Sequence, residues 1–227
     1  MARRHQQISK TAELLCNAFK EVFTAESDLH PDNESCASSF KFSDSQHAYD
    51  IFSESEVLKK LWALTSDKSP GPDGLHPHFL HSCAHTLAKP LSIIFRCSYE
   101  TGILPTDWKL ANVCPVFKKS SKSDVGNYLP ISLTSVPCKI MESIIKDRIV
   151  RFLESSEFFS SYQHGFVKGR SCLTNLLETF EAWTKALNDG YDVNIVYLDY
   201  RKAFDTVPHS RLLDLSLIHI SEPTRPY

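Results

Sequence analysis

The chain has 227 residues, 42% hydrophobic and 23% charged side chains, and a formal net charge of −2. These values are ordinary for a globular protein and exclude a collagen-like or low-complexity chain. No apolar run reaches the roughly 18 residues that a membrane-spanning helix needs. The seven cysteines are scattered and form no C-x-x-C pair, which favours a reduced, intracellular protein over a disulfide framework or a zinc site.

The charge is distributed unevenly along the chain. Residues 105–175 carry ten basic and six acidic side chains, whereas acidic side chains are in excess on both sides. A basic middle followed by an acidic end can hold phosphates beside a carboxylate site. A solvated surface of mixed charge has much the same composition, so this pattern alone leaves both interpretations open.

The first half of the chain predicts helices separated by a polar linker. Residues 12–23 have helical spacing of apolar side chains, and residues 24–46 are polar and poor in aliphatic side chains. Ser53 and Glu56 fit a capping box that opens the next helix. The stretch "SPGPDG" then interrupts regular structure, and we interpret its Asp73 as a turn residue.

A long helical pattern follows this interruption. Residues 76–102 predict one helix or two, with Pro90 as the expected kink or break and Gly102 as the C-terminal stop. The same stretch contains a histidine cluster, in which two members are four positions apart. No neighbouring Asp, Glu or Cys completes a metal shell, so a metal site is not the favoured interpretation. The cluster consists of His76, His78, His81 and His85.

The second half alternates predicted strands and helices. The run "ANVCPVF" predicts a strand, and residues 136–154 predict an amphipathic helix. Another helix is predicted over residues 171–188, with Gly190 closing it. The run "DVNIVYLDY" is rich in β-branched and aromatic residues and predicts a buried strand.

Asp199 is the main candidate for chemistry, because it ends this apolar predicted strand. Carboxylates at such positions can hold Mg²⁺ together with substrate phosphates. The alternative is that Asp199 only caps the turn after a strand. An aspartyl-phosphate hydrolase does not fit, because such sites need Asp-x-Asp and position 201 is Arg.

Five stretches resemble one family, in the order and at the spacing that this family shows. The stretch "VYLDYRKAFDTVPH" resembles the first catalytic motif of reverse transcriptases from non-LTR (LINE-type) retrotransposons of the jockey/CR1-like branch. The preceding motifs of that family are matched by "SPGPDGLHP", "LPTDWKLANVCPVFKK", "NYLPISLTSVPCKIMESII" and "QHGFVKGRSCLTNLL". The resemblance covers residues 10–214 and implies an α+β right-hand polymerase, with fingers and a partial palm.

The resemblance also implies roles near the first catalytic motif. The Asp199 carboxylate and the Tyr200 carbonyl would bind Mg²⁺ in a two-metal mechanism. Phe204 would lie under the incoming sugar and exclude a 2′-hydroxyl, or else pack the palm core. Asp205 would be a structural hydrogen-bond partner near the site.

Further implied roles lie in the fingers. Lys118 and Lys119 would contact the incoming triphosphate, although a lysine pair on a turn is often only solvated. A second group would lie along the template, where cationic side chains position the backbone without reading bases. The implied partners are an RNA template, a DNA primer and a dNTP, in the nucleus or cytoplasm. The template group consists of Gln163, Gly165, Lys168 and Arg170.

Two departures from the family pattern bear on activity. The family has Arg in "NYRPISL" where this chain has Leu129, which can supply no charge to a triphosphate. The family's second catalytic motif contains an Asp-Asp pair, and the 227 residues contain none. We therefore expect an inactive fragment of the polymerase. The alternative is a non-catalytic nucleic-acid-binding remnant that uses the same cationic residues.

The end of the chain, "SLIHISEPTRPY", does not continue the family pattern. Residues 215–225 fit a translation of a DNA string that resembles a transposase-based sequencing adapter. We predict an N-terminal helix and linker over 1–52, fingers and partial palm over 53–214, and an adapter-derived tail over 215–227. Amplification of the locus from genomic DNA tests the tail, because recovery of these codons would contradict its adapter origin.

Overall fold

The structure, a computed structural model, describes residues 2–22, 51–155, 158–200 and 203–212. The predicted linker over 24–46 and the predicted tail over 215–227 lie outside these ranges. The described residues contain helices and one two-stranded sheet, in agreement with the α+β prediction. No helix in the described ranges is long and apolar enough to cross a membrane.

The helices before the sheet are α1 (Ala2–Lys20), α2 (Glu54–Trp62), α3 (Pro77–Ser82) and α4 (Ala84–Thr101). The two strands are β1 (Ala111–Phe117) and β2 (Tyr128–Thr134). After them come α5 (Val136–Ser155), α6 (Cys172–Asn188) and the single turn α7 (Ala203–Thr206). Short 3₁₀ turns occupy Thr106–Lys109 and Val125–Asn127.

The described chain divides into two compact units. The first comprises the described residues up to 141 together with those from 200 onward, and the second comprises the described residues within 142–199. The division passes through α5 and through the peptide bond between Asp199 and Tyr200.

The core of the first unit forms where α2 packs against α4. Phe52 and Phe95 are fully buried, with ring centroids 5.9 Å apart in an edge-to-face arrangement. Trp108 extends this cluster, with its ring 5.7 Å from that of Phe95. The Ser92 hydroxyl donates to the carbonyl of Phe52, so the polar side chain inside this core is satisfied. Burial of two Phe side chains contributes about 1.5–3 kcal/mol each.

Local sequence signals explain the ends of several helices. The Ser53 side chain accepts from the Glu56 N–H at 3.4 Å, as the predicted N-cap requires. The C-cap of α4 is Gly102, whose φ of 67° is left-handed and suits glycine. Ser171 and Thr174 form a reciprocal capping box at the start of α6.

Of the two outcomes predicted at Pro90, the break does not occur, and a kink stays a prediction. Pro90 lies inside α4, which is continuous, and the helical pattern divides at Cys83 instead. Proline removes one N–H donor and strains the preceding turn. The apolar face of α4 is anchored on both sides of it by the buried Ala88 and Leu91, and we infer that this burial offsets the cost.

The strand predicted over residues 192–200 was also wrong, since residues 191–200 have no regular secondary structure. Tyr197 and Leu198 are more than four-fifths exposed. An apolar run becomes a strand only when another strand takes up its backbone hydrogen bonds. Within the described residues, β1 and β2 pair only with each other, so this run has no strand partner there.

Candidate nucleotide and nucleic-acid interface

The predicted triphosphate contacts lie on a well-defined β-hairpin. β1 and β2 pair in antiparallel register from Ala111 opposite Thr134 to Phe117 opposite Tyr128. The Lys118 N–H donates to the Asn127 carbonyl at 2.9 Å and closes the hairpin end. Because hydrogen-bonded and non-hydrogen-bonded pairs alternate, the facing prolines Pro115 and Pro130 fall at a non-hydrogen-bonded pair. Their missing N–H groups therefore cost the ladder nothing.

The connection between the strands is held by its own polar side chains. The Asp124 carboxylate accepts from the Gly126 N–H at 2.8 Å. The Asn127 amide donates to the carbonyl of Ser121 at 3.0 Å, and the Tyr128 hydroxyl donates to that of Lys122 at 2.9 Å. These bonds fix the backbone next to Lys118 and Lys119, the predicted triphosphate contacts, and leave the two lysine side chains unused.

Lys118 and Lys119 are both exposed at this fixed turn. No ion pair between described residues involves either ammonium group. A third cation lies nearby, since the Lys122 ammonium is 5.7 Å from the centroid of the Phe117 ring. The hairpin end therefore presents several cations that an anionic ligand can reach.

Leu129 lies on β2 directly opposite Val116. Because side chains alternate between the two faces of a strand, the pair Cys114 and Ile131 lies on the same face of the ribbon as Leu129 and Val116. Leu129 is 38% exposed, so this position is accessible from solvent. The face where the resemblance implies an Arg is therefore apolar in this chain.

The "SPGPDG" loop fixes the junction between β2 and α5. Gly71 is buried, and a Cβ added to it would lie 2.5 Å from the carbonyl oxygen of Thr134. Asp73 accepts from the Ser135 hydroxyl at 2.6 Å and from the Leu75 N–H at 3.2 Å. These contacts agree with the interpretation of Asp73 as a turn residue and add a tie to the junction, which the sequence did not reveal.

The residues predicted to contact template belong to the loop between α5 and α6. The Arg170 guanidinium donates to the carbonyls of Ser161 and Gln163, the second at 3.0 Å. The Gln163 side-chain amide donates to the Gly165 carbonyl at 3.3 Å. Arg170 and Gln163 thus hold the loop itself, whereas Lys168 is exposed. A template contact by these residues stays a prediction.

His164 fastens the same loop to α6, and the sequence did not single it out. Its Nδ1 atom lies 2.9 Å from the Thr174 hydroxyl, and its Nε2 atom lies 2.8 Å from a Glu178 carboxylate oxygen. Only 8% of the His164 side chain is exposed. The signal in the sequence was a histidine just before the predicted helix, with polar partners ten and fourteen positions later.

Asp199 lies in the irregular segment after α6 and is exposed. Phe204 and Asp205 follow in the turn α7, where Asp205 is partly buried. Asp199 belongs to the second compact unit, whereas Tyr200, Phe204 and Asp205 belong to the first.

These residues do not form a complete Mg²⁺ site. Two-metal catalysis needs several carboxylates that fix the ions about 4 Å apart. Among the described residues, no group of three or more His, Cys, Asp or Glu could hold a metal ion. The described histidine cluster contains no such group either. Its His76 ring accepts a hydrogen bond from the His78 N–H at 3.2 Å.

Comparison with known proteins shows a family that part of the chain resembles. Residues 117–225 match the family described as reverse transcriptase (RNA-dependent DNA polymerase). This range contains the hairpin end, the loop before α6 and Asp199. It also overlaps most of the predicted tail, whose origin stays a prediction.

Individual proteins are similar to the chain over a longer stretch than the family match. The chain is 29% identical over 160 residues to the RNA-directed DNA polymerase from mobile element jockey of Drosophila melanogaster. It is 26% identical over 159 residues to the probable RNA-directed DNA polymerase from transposon BS of the same species. Both alignments cover 70% of this chain, but only 17% and 18% of the relatives. A Pol polyprotein from the type-1 retrotransposable element R2 of Popillia japonica is 30% identical over 129 residues, which are 56% of this chain and 17% of the relative.

Over the matched residues, the chain is therefore similar to RNA-directed DNA polymerases of mobile elements. It spans less than a fifth of the length of these relatives.

Proposed function

We propose that this chain is the nucleotide- and template-holding part of an RNA-directed DNA polymerase that copies retrotransposon RNA. The observation that carries this proposal is the reverse transcriptase match over residues 117–225. The finer architecture follows the family: residues 53–214 supply the fingers and the first part of the palm. The substrates would be an RNA template, a DNA primer and a dNTP.

The hairpin geometry supports the nucleotide-holding role. Lys118 and Lys119 are exposed at a turn whose backbone is fixed by hydrogen bonds. A preorganised cationic turn can receive phosphate oxygens without first paying the entropy of ordering its backbone. The loop before α6 would contact the template backbone through the exposed Lys168.

Asp199 is proposed as one carboxylate of a Mg²⁺ site in the complete polymerase. One carboxylate cannot fix two metal ions, and the 227 residues contain no Asp-Asp pair. We therefore propose that the 227-residue polypeptide binds substrates without polymerising them. Substrate binding without polymerisation also fits the second candidate function, a non-catalytic nucleic-acid-binding remnant of a retroelement. Exposed lysines can supply the phosphate contacts that such a remnant needs.

The test combines binding and primer extension with the 227-residue chain on poly(rA)/oligo(dT) and Mg²⁺. We expect salt-dependent binding of the hybrid, weaker in a Lys118→Ala/Lys119→Ala double variant and unchanged in the exposed control Lys185→Ala. We expect no dTTP incorporation above that of Asp199→Ala. Absence of hybrid binding would contradict the holding role, and incorporation above that background would contradict the predicted inactivity.

A further inference from the structure

The N-terminal helix α1 has one partly buried face. Leu15, Ala18 and Phe19 are partly buried, whereas the neighbouring Leu14 is 56% exposed. Positions three and four apart lie on the same side of a helix, so these three residues form a stripe, called here the α1 stripe. Because the other side chains over residues 10–20 are exposed, the stripe indicates a contact with another part of the chain.

That contact is with the connection between β1 and β2. The helix α1 packs against the 3₁₀ turn Val125–Asn127, which belongs to the same compact unit. Val125 and Asn127 are partly buried, and Gly126 between them is exposed. Packing of the α1 stripe on this turn accounts for the partial burial on both elements.

This turn is bonded directly to the predicted triphosphate contacts. Asn127 is its last residue, and the Asn127 carbonyl accepts from the Lys118 N–H at 2.9 Å. The Asn127 N–H in turn donates to the Asp124 carbonyl at 3.2 Å. A displacement of the turn would therefore move the backbone of Lys118, and with it the neighbouring Lys119.

Side-chain bonds within the connection lie at the surface. The bond from the Gly126 N–H to Asp124 and the bond from the Asn127 amide to Ser121 both involve exposed groups. Water competes for such groups, so each bond contributes little net stability and the connection can open locally. An apolar stripe packed on one side of the connection opposes this opening.

We propose that α1 positions the nucleotide-holding turn. The α1 stripe holds the 3₁₀ turn Val125–Asn127, and that turn holds Lys118 and Lys119 in the arrangement that receives a triphosphate. The residues of the stripe act through Asn127 and are positioning residues. The proposal rests on the proposed function and extends its holding site to the first helix of the chain. A turn that is ordered before the ligand arrives binds more tightly, because the ligand does not pay for ordering it.

Titration of the 227-residue chain with a fluorescent dTTP analogue tests this role. Leu15→Glu places a carboxylate in the α1 stripe and should weaken binding about fivefold or more, because the ligand must then order at least one backbone residue of the turn. Leu14→Glu is the matched control, since it adds the same charge to the same helix at an exposed position. It should bind as the unchanged chain does, and the conservative variant Leu15→Met should also retain binding.

Hydrogen–deuterium exchange separates loss of positioning from damage to the fold. In Leu15→Glu, exchange should become faster over residues 118–128, where the N–H groups of Lys118 and Gly126 are hydrogen-bonded. Exchange in α4, which carries the buried Phe95 of the core, should stay unchanged. Leu14→Glu should alter exchange in neither region.

Three outcomes would overturn the positioning role. In the first, Leu15→Glu leaves either the affinity or the exchange over residues 118–128 unchanged. In the second, Leu14→Glu has the same effects as Leu15→Glu. In the third, exchange in α4 accelerates equally, which would assign the lost affinity to unfolding. In all three, binding of the analogue by the unchanged chain leaves the nucleotide-holding role intact. If the unchanged chain does not bind the analogue, the nucleotide-holding role is wrong and the positioning role fails with it.

Discussion

At the residue scale, the departure from the family pattern that is easiest to test is Leu129, where the family has Arg. Its side chain is partly exposed, on the ribbon face that it shares with Val116 and Ile131. An Arg at this position would extend from an accessible face, so its charge need not be buried. The resemblance to the family implies that this face meets the triphosphate.

Leu129→Arg should therefore tighten dTTP binding by about tenfold or more, since a hydrogen bond to a charged group contributes about 1.5–3 kcal/mol. Titration of the 227-residue chain with a fluorescent dTTP analogue measures this. Val113→Arg is the matched control, because alternation places Val113 on the opposite face of the same ribbon. Unchanged affinity in Leu129→Arg, or an equal gain in Val113→Arg, would contradict a nucleotide site on the Leu129 face.

His164 shows what single-residue reasoning missed. The side chain is mostly buried between the loop and α6, where both ring nitrogens meet oxygen atoms. A histidine within a Gly-containing polar stretch gives no periodic signal. Only the folded loop shows that it fastens the template-side segment to a helix.

At the element scale, helices were predictable because their signals are local. Ser53 caps α2, Gly102 ends α4, and α6 begins at the Ser171 capping box, all within a few residues of the sequence features that predicted them. β1 was predicted with its observed bounds. β2 was not predicted, because its strand character depends on its pairing with β1.

The strand predicted after α6 was wrong for the same physical reason. Its β-branched and aromatic residues satisfy the compositional rule for a strand, but a strand also needs a hydrogen-bonding neighbour. Asp199 was predicted to end a strand and does not, whereas its predicted role as a metal ligand stays a prediction. In the candidate site, the turn that carries Lys118 was predicted, whereas the contacts of His164 with α6 depend on tertiary structure.

The junction of the "SPGPDG" loop with β2 and α5 gives a prediction about stability. Gly71→Ala should lower the free energy of unfolding by about 1–3 kcal/mol, because its Cβ would overlap the backbone at Thr134 and Ser135. Urea unfolding followed by circular dichroism measures the change.

Gly165→Ala is the control, because a Cβ there would meet no atom within 4 Å. It should stay within about 0.5 kcal/mol of the unchanged chain. If the two variants unfold alike, the close approach of Gly71 to the β2–α5 junction is not a feature of the protein.

At the scale of the whole molecule, the chain combines residues proposed to hold substrates with a single predicted catalytic carboxylate. The cationic hairpin end lies in the first unit, and the loop before α6 and Asp199 lie in the second. Each unit can be probed by its own variants. Polymerisation needs carboxylates beyond Asp199. The remainder of a longer relative would supply them if this sequence replaced the corresponding segment in one chimeric chain.

The most direct measurement is therefore dTTP incorporation on poly(rA)/oligo(dT) by such a chimera. In it, residues 53–214 of this chain would replace the corresponding segment of the jockey polymerase. With Leu129→Arg included, we predict Mg²⁺-dependent incorporation that falls to background in Asp199→Ala and persists in the exposed control Asp192→Ala. Incorporation that survives Asp199→Ala, or a folded, hybrid-binding chimera that incorporates nothing, would contradict the assignment of this chain to the catalytic domain of an RNA-directed DNA polymerase.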